Sequence, residues 1–372
     1  MAQWSDGQKD ALRMAGEWLN KCRSEGGNLS QPIFRLFGYA GTGKTTLAKH
    51  LAESCNSVAY AAFTGKAALM MQRNGCHNAS TIHGLIYMVH EDDDGKISFI
   101  LDLEGGAAHV DLIVVDECSM VDAAIGRDLL SYRKPILVLG DPAQLPPVGG
   151  AGFFTEALPD FLLTEIHRQA AENPIIHMAT ELRNQRRLQI GSFGESAVIP
   201  RGTLSGDDLV SADQVLVGKN ATRQQFNGRM RRIIGLNDPM PVSGDRLVCL
   251  KNDKPIGIFN GGLFRMVESV PSHYDKSHIK MIVKSDDFPN ARALEVKVRR
   301  EFFEGGAQDI AWQELRGTQQ FDYGYVLTVH KSQGSQWDDV IVYDESGIAR
   351  DEWWRWLYTA VTRASERVRL VL

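Results

Sequence analysis

A chain of 372 residues with 43% hydrophobic and 23% charged residues is long enough for two or three separately cored domains and has the balance of a folded globular protein. Its 35 glycines and 13 prolines do not suggest disorder, the opening stretch lacks the basic flank and apolar run of a leader, and no later apolar run is long enough to span a bilayer, so a cytoplasmic location is expected. A net charge of −5 excludes a protein that coats nucleic acid through bulk positive charge, and five singly placed cysteines exclude a disulfide framework or a cysteine-rich zinc site.

From Gln8 to Lys21 the apolar residues Ala11, Leu12, Ala15, Trp18 and Leu19 recur at helical spacing, and Gly26, Gly27 and Asn28 end the pattern. The run Ile33 to Phe37 then feeds a glycine-rich turn and a helical stretch from Lys44 to Ser54, which predicts strand, loop and helix. Short apolar runs at Val58 to Phe63, Leu112 to Val115 and Ile136 to Leu139 have the texture of parallel strands covered on both faces. Between Gly84 and Val110, the runs Ile86 to Val89 and Ile97 to Leu101 flank the acidic turn Glu91 to Gly95, so a β-hairpin is expected as an insertion.

After Gln169 a helical stretch runs toward Gln189. Strand-like runs return at Val215 to Val217, Arg246 to Leu250, Ile279 to Val283, Val326 to Val329 and Val340 to Tyr343, which implies a second α/β layer. The segment Leu263 to Arg316 alternates more, as in Leu294 to Arg299, and is expected to be a small β-rich insertion. The expected domains are residues 1–170, with the hairpin at 84–110, and 171–372, with the β-rich insertion at about 263–317. The stretch Lys219 to Arg232 carries Lys219, Arg223, Arg229, Arg231 and Arg232 without an acidic residue, and is either the lining of a strand-binding cleft or a solvated helix face.

Chemistry is written most clearly in Gly38-Tyr39-Ala40-Gly41-Thr42-Gly43-Lys44-Thr45. It matches G-x-x-x-x-G-K-[ST] and sits between a predicted strand and helix, the context a phosphate-binding loop requires. Gly38, Gly41, Thr42, Gly43, Lys44, Thr45 and Thr46 are the expected nucleotide-binding set: backbone N–H groups turn toward the phosphates, Lys44 reaches the β- and γ-phosphates, and the Thr45 hydroxyl binds Mg²⁺. Asp111 to Glu117 is an apolar strand ending in two acids, so Asp116 is expected in the Mg²⁺ shell and Glu117 beside the attacking water. Acids at a strand end also cap helices, as Asp122 is placed to do. The run Ile136 to Leu139 ends in Gly140 to Val148, where the Gln144 amide is expected near the γ-phosphate or the water.

With Leu163 to Gln169, Val329 to Gly334 and Tyr358 to Ala364, these segments form six motifs whose order and span resemble helicase superfamily 1, branch B. Within that branch the chain is most similar to RecD-like and Dda-like DNA helicases, including Lys251-Asn252-Asp253 and Phe259-Asn260-Gly261. The resemblance implies an α/β fold of two RecA-like P-loop domains with parallel sheets, an inserted hairpin in the first and an SH3-like β-rich insertion in the second. It implies ATP and Mg²⁺ as cofactors, Gln8 against adenine, and Arg168 and Arg363 as arginine fingers. It assigns strand contacts to Thr64, Lys66, Thr81 and His83 in the first domain and to Asn220, Thr328 and His330 in the second.

The function implied is ATP-driven travel along single-stranded DNA, 5′-to-3′, with strand separation at duplex junctions. Replication or recombination proteins are candidate partners, and a monomer is compatible with the pattern. No zinc role is expected for His83 or His330, which lack ligating neighbours. Relative to some RecD-like members the chain resembles a minimal motor core, and its hairpin is short and acidic at the tip. Tyr87 and Phe99 there are either base-stacking residues or ordinary hairpin packing. The alternatives are an RNA helicase, a protein-stripping translocase, or a nucleotide-switched binding module; the presence together of Lys44, Glu117, Gln144, Arg168 and Arg363 disfavours the last.

Overall fold

The computed structural model describes residues 4–372 apart from 28, 92–96, 147–151, 166–172, 252, 254–255, 257, 259, 271–276 and 287–290. The chain divides into two compact units, Met1–Gln185 and Arg186–Leu372.

In the first unit, β1 (Ile33–Gly38), β2 (Val58–Ala62), β3 (Ser80–Thr81), β6 (Leu112–Asp116), β7 (Ile136–Gly140) and β8 (Phe161–Leu163) form one sheet in the order β3-β2-β6-β7-β1-β8. Every pairing in it is parallel. The unbroken apolar runs follow from that. Leu112, Val114, Leu137 and Leu139 enter one core, whereas Ile113, Val115, Ile136 and Val138 enter another, so neighbouring residues are buried on opposite faces of the sheet. The helix Asp6–Glu25 covers the first of these cores with Ala11, Ala15, Trp18, Leu19 and Cys22, spaced at three and four residues, and starts in a capping box between Ser5 and Gln8.

The predicted hairpin is present as β4 (Tyr87–Glu91) paired antiparallel with β5 (Ile97–Leu101). Its first strand begins one residue later than expected, because Ile86 closes the short helix Ile82–Ile86 that Thr81 caps. The Tyr132 hydroxyl donates to both Ile86 O and Asp102 O, at 2.9 and 2.6 Å, and so fixes the hairpin's base. The acidic tip lies largely outside the described residues.

The second unit has a sheet ordered β17-β11-β18-β19-β10-β9, from β9 (Gly191–Phe193), β10 (Ser196–Ile199), β11 (Gln214–Val217), β17 (Val326–Thr328), β18 (Trp337–Tyr343) and β19 (Ala364–Val371). It is parallel except for the β9–β10 edge. A separate antiparallel sheet, ordered β15-β14-β13-β12-β16, holds β12 (Arg246–Cys249), β13 (Leu263–Val270), β14 (His278–Ser285), β15 (Leu294–Arg299) and β16 (Phe321–Tyr323).

This sheet corrects the expected bounds of the insertion. Arg246 to Cys249, expected in the α/β layer, pairs Leu247 with Phe264 on one side and with Tyr323 on the other. A short apolar run carries no information on which of two sheets it joins, and β16, beyond residue 317, was not anticipated. The division between units also falls later than residue 170, after the helix Pro174–Arg183, whose Arg183 guanidinium lies 4.0 Å from the ring centroid of Tyr39 in the first unit.

The strand-lining alternative for Lys219 to Arg232 is corrected for two of its five cations. Arg223 pairs with Asp322 at 2.7 Å, and Arg231 grips Asp245 through Nε and Nη2 at 3.0 and 2.9 Å, both arginines being buried. Asp245, fully buried, also accepts from Tyr325 Oη at 2.8 Å and Val242 N at 2.8 Å. Asp245→Ala therefore strands a buried guanidinium and is expected to destabilise the second unit by about 3–5 kcal/mol. Urea unfolding followed by circular dichroism measures this, and a loss below about 1 kcal/mol would show the pair to be energetically idle.

Candidate nucleotide and strand site

Parallel order brings the predicted motifs to one edge. β6, β7 and β1 are neighbours, with Leu36 opposite Leu139 and Val115 opposite Val138, so the P-loop after β1, Asp116–Glu117 at the end of β6 and the turn after β7 leave the sheet side by side. The ends of β2 and β3 continue the same edge and carry Thr64, Lys66, Thr81 and His83.

The P-loop's shape is set by its glycines. A Cβ on Gly38 would meet Thr42 Oγ1 at 2.6 Å and Leu163 Cβ at 2.8 Å, and Gly41 and Gly43 hold φ of 78° and 83°. Gly43 is the N-cap of the helix Lys44–Ala52, leaving the first turn's N–H groups without a side-chain cap, as an anion site at a helix start requires. The Lys44 ammonium donates to Gly38 O at 2.7 Å and Tyr39 O at 3.1 Å. Gln8, 2% exposed, donates from Nε2 to Thr42 O at 3.1 Å and accepts at Oε1 from Ser5 N at 3.1 Å, so its amide ties the opening helix to the loop. Thr46 is exposed on the first turn of the P-loop helix.

Thr45 Oγ1 donates to Asp116 Oδ2 at 3.3 Å. Burial and the adjacent Glu117 carboxylate hold Asp116 above the usual carboxylate range, against the pull of the Lys44 ammonium. A buried carboxylate raised by a neighbouring one, and only partly offset by the ammonium, leaves this corner receptive to a cation. A hydroxyl and a carboxylate at this spacing suit a hard cation that takes its remaining oxygens from phosphates and water, and among the described residues no cluster of three or more His, Cys, Asp or Glu offers a full protein cage. The donor set thus fits Mg²⁺ held jointly with a nucleotide.

Glu117 stands in the left-handed region, φ 50° and ψ 46°, with its N–H donating to Asp116 Oδ1 at 2.8 Å. Gln144, 8% exposed, sits in a turn where Ala143 N donates to Asp141 Oδ1 at 2.9 Å and Gln144 N donates to Asp141 O at 3.2 Å. Asp122 caps the helix Ala123–Ser131 as expected. Arg168, together with the motif around it from Ile166 to Gln169, lies outside the described residues; β8 leads into that motif, and Glu165 accepts from Gly7 N at 3.3 Å.

Thr64 and Thr81 are helix N-caps, accepting from Ala67 N at 3.1 Å and Gly84 N at 3.0 Å, and Lys66 is buried. His83 joins an aromatic cluster, with ring centroids 6.3 Å from Phe63, 5.5 Å from Tyr87 and 6.3 Å from Phe99. Tyr87 donates to Asp128 Oδ2 at 2.5 Å, which makes it part of the hairpin's support, whereas Phe99 remains 51% exposed.

In the second unit Thr328 ends β17 opposite Val217, the last residue of β11, and accepts from Lys331 N at 3.4 Å. Burial lowers the pKa of His330 and so favours its neutral ring. Asn220 is exposed at the start of the helix Asn220–Ile233, just beyond β11. Arg363, 5% exposed, precedes β19 at the opposite edge; Nε donates to Thr359 O at 3.1 Å and Nη1 to Ser335 O at 3.2 Å. The Arg183–Tyr39 stack was not anticipated, because no local pattern links residues so far apart.

Two α/β units built on mainly parallel sheets, the first holding a P-loop beside an acid-tipped strand, define a P-loop fold of RecA-like build. Residues 29–202 match the model of an AAA domain, and residues 323–371 match that of a UvrD-like helicase C-terminal domain. The chain is 33% identical over 325 residues to the ATP-dependent DNA helicase dda of Enterobacteria phage T4, covering 74% of this chain and 69% of that protein. It is 32% identical over 372 residues to the ATP-dependent RecD2 DNA helicase of Deinococcus radiodurans, covering 89% of this chain. The chain spans only 46% of that relative's length. A Bacteroides Pif1 helicase solved with ADP-AlF3 and single-stranded DNA shares the fold at a TM-score of 0.57 and 18% identity, over 99% of this chain and 92% of that one. The chain belongs to helicase superfamily 1B.

Among the described residues no helix is long and apolar enough to cross a membrane.

Proposed function

We propose that the chain is an ATP-driven motor that moves along single-stranded DNA, 5′-to-3′, and separates strands at duplex junctions. One observation supports this: the P-loop, Asp116–Glu117 and Gln144 share a sheet edge with Thr64, Lys66, Thr81 and His83, so the residues proposed for nucleotide and for strand leave neighbouring strand ends of one sheet.

In this proposal Lys44 and the P-loop N–H groups hold the triphosphate, and Gln8 fixes the loop and meets the adenine. Thr45 and Asp116 would hold Mg²⁺. Bound there, the ion would offset charge on the phosphates. Glu117 takes a proton from the attacking water, Gln144 orients it, and Arg168 and Arg363 stabilise charge on the transferring phosphoryl group. Thr64, Lys66, Thr81, His83, Asn220, Thr328 and His330 grip the strand's backbone, which positions it without reading sequence. The neutral His330 ring acts there as a hydrogen-bonding group.

ATPase turnover is accordingly expected to rise strongly with single-stranded DNA, almost independently of its sequence, and the stimulation is expected to weaken as salt increases. His330→Ala lowers the stimulated rate and raises the DNA concentration giving half-stimulation. Turnover measured with oligo(dT), a mixed-sequence DNA and a matched RNA tests this. A rate indifferent to any strand would favour a nucleotide-switched binding module, and equal stimulation by RNA would remove the restriction to DNA.

A further inference from the structure

The chain leaves the first unit through a short exposed connector. Asn184 closes the helix Pro174–Arg183, Gln185 N donates to Leu182 O at 2.8 Å, and Gln185 then turns into the left-handed region at φ 58°. Residues 184–187 are exposed, and 186–189 take no regular structure. On either side of the unit boundary an arginine lies over an aromatic ring of its own unit. The Arg183 guanidinium is 4.0 Å from the centroid of Tyr39, and that of Arg187 is 4.3 Å from the centroid of Trp353.

Both rings belong to elements that carry motif residues. Tyr39 is the second residue of the P-loop, and its carbonyl accepts from the Lys44 ammonium. Trp353 begins the helix Trp353–Val361, whose Thr359 carbonyl accepts from Arg363. The connector is thus fastened to the lysine-bearing loop in one unit and to the arginine-positioning helix in the other, with three residues between the fastenings.

We infer that Arg183 and Arg187 are positioning residues that confine the swivel between the two units to Asn184, Gln185 and Arg186. A guanidinium over a ring face is held by the attraction of its charge to the ring's quadrupole, an attraction a lysine ammonium also supplies. Hinge motion concentrated in a few residues then leaves the P-loop and the Arg363 helix each rigidly joined to its own end of the connector. This rests on the motor proposed above, with the two units taken to move against each other during turnover.

Arg183→Gln and Arg187→Gln, which keep length and polarity but remove the cation, are to be compared with Arg183→Lys and Arg187→Lys in the full chain. Two readouts apply: hydrogen exchange of the nucleotide-free protein, and steady-state ATPase with saturating oligo(dT). Each glutamine variant is expected to speed amide exchange around the substituted arginine and to lower the stimulated kcat by about threefold to tenfold with KM for ATP little changed, while the lysine variants stay within about twofold of the parent. Glutamine variants that exchange and turn over like the parent overturn the inference, as do lysine variants damaged equally. If the parent itself shows no DNA-stimulated turnover, the motor proposal fails instead. Exchange then decides the anchors: faster exchange in the glutamine variants upholds them, and unchanged exchange overturns them.

Discussion

Lys44→Ala is expected to cut ATP turnover by at least about 10²-fold, because the β- and γ-phosphates lose the one side-chain point charge the loop supplies. The loop itself should survive. The ammonium donates to Gly38 O and Tyr39 O, but the turn is fixed independently by the left-handed glycines and by the bond from Thr42 Oγ1 to Tyr39 O at 2.8 Å. Binding of single-stranded DNA is expected to persist, since Lys44 is assigned to the nucleotide. Phosphate release and fluorescence anisotropy with labelled oligo(dT) provide the two measurements. Turnover within about tenfold of the parent would place the reacting phosphate elsewhere.

Arg363→Ala is expected to lower kcat by about 10³- to 10⁵-fold while ATP binding stays measurable. The residue is remote from the P-loop in sequence and lies at the amino end of β19, where Thr359 O and Ser335 O hold its guanidinium. Those bonds use Nε and Nη1 and fix the plane of the fork, so Arg363→Lys should recover little: an ammonium cannot bond both carbonyls and still present a flat donor edge to phosphate. Single-turnover hydrolysis with nucleotide affinity measured in parallel tests the role, and an unchanged melting temperature excludes simple unfolding. If affinity collapsed while turnover at saturating ATP held, Arg363 would be a nucleotide-binding residue and not a finger.

The P-loop and the acid-tipped strand were legible in the sequence because their physics is local, whereas the role given to Arg363 came only from the resemblance. A P-loop needs its glycines, lysine and hydroxyl within a few residues, and a strand ending in Asp116–Glu117 announces itself through a run buried on both faces. Parallel pairing then follows from the missing alternation, and the sheet edge from parallel pairing. What escaped was set by partners distant in the chain. Arg246 to Cys249 reads the same whether it joins a parallel or an antiparallel sheet, and only pairing with Phe264 and Tyr323 decides. Lys219 to Arg232 looks like one basic surface until Asp322 and Asp245 bury two of its cations. The stack of Arg183 on Tyr39 has no counterpart in any window of sequence.

Glu117 carries a cost that bears on how such a chain can change. Its φ of 50° is a conformation glycine and asparagine adopt readily, whereas a glutamate there carries strain of about 1–2 kcal/mol. Either replacement would relax the backbone and remove the carboxylate assigned to water activation. Thermal sturdiness and the proposed turnover therefore pull this position toward different residues, and a lineage selected for hardiness alone would drift toward losing that carboxylate.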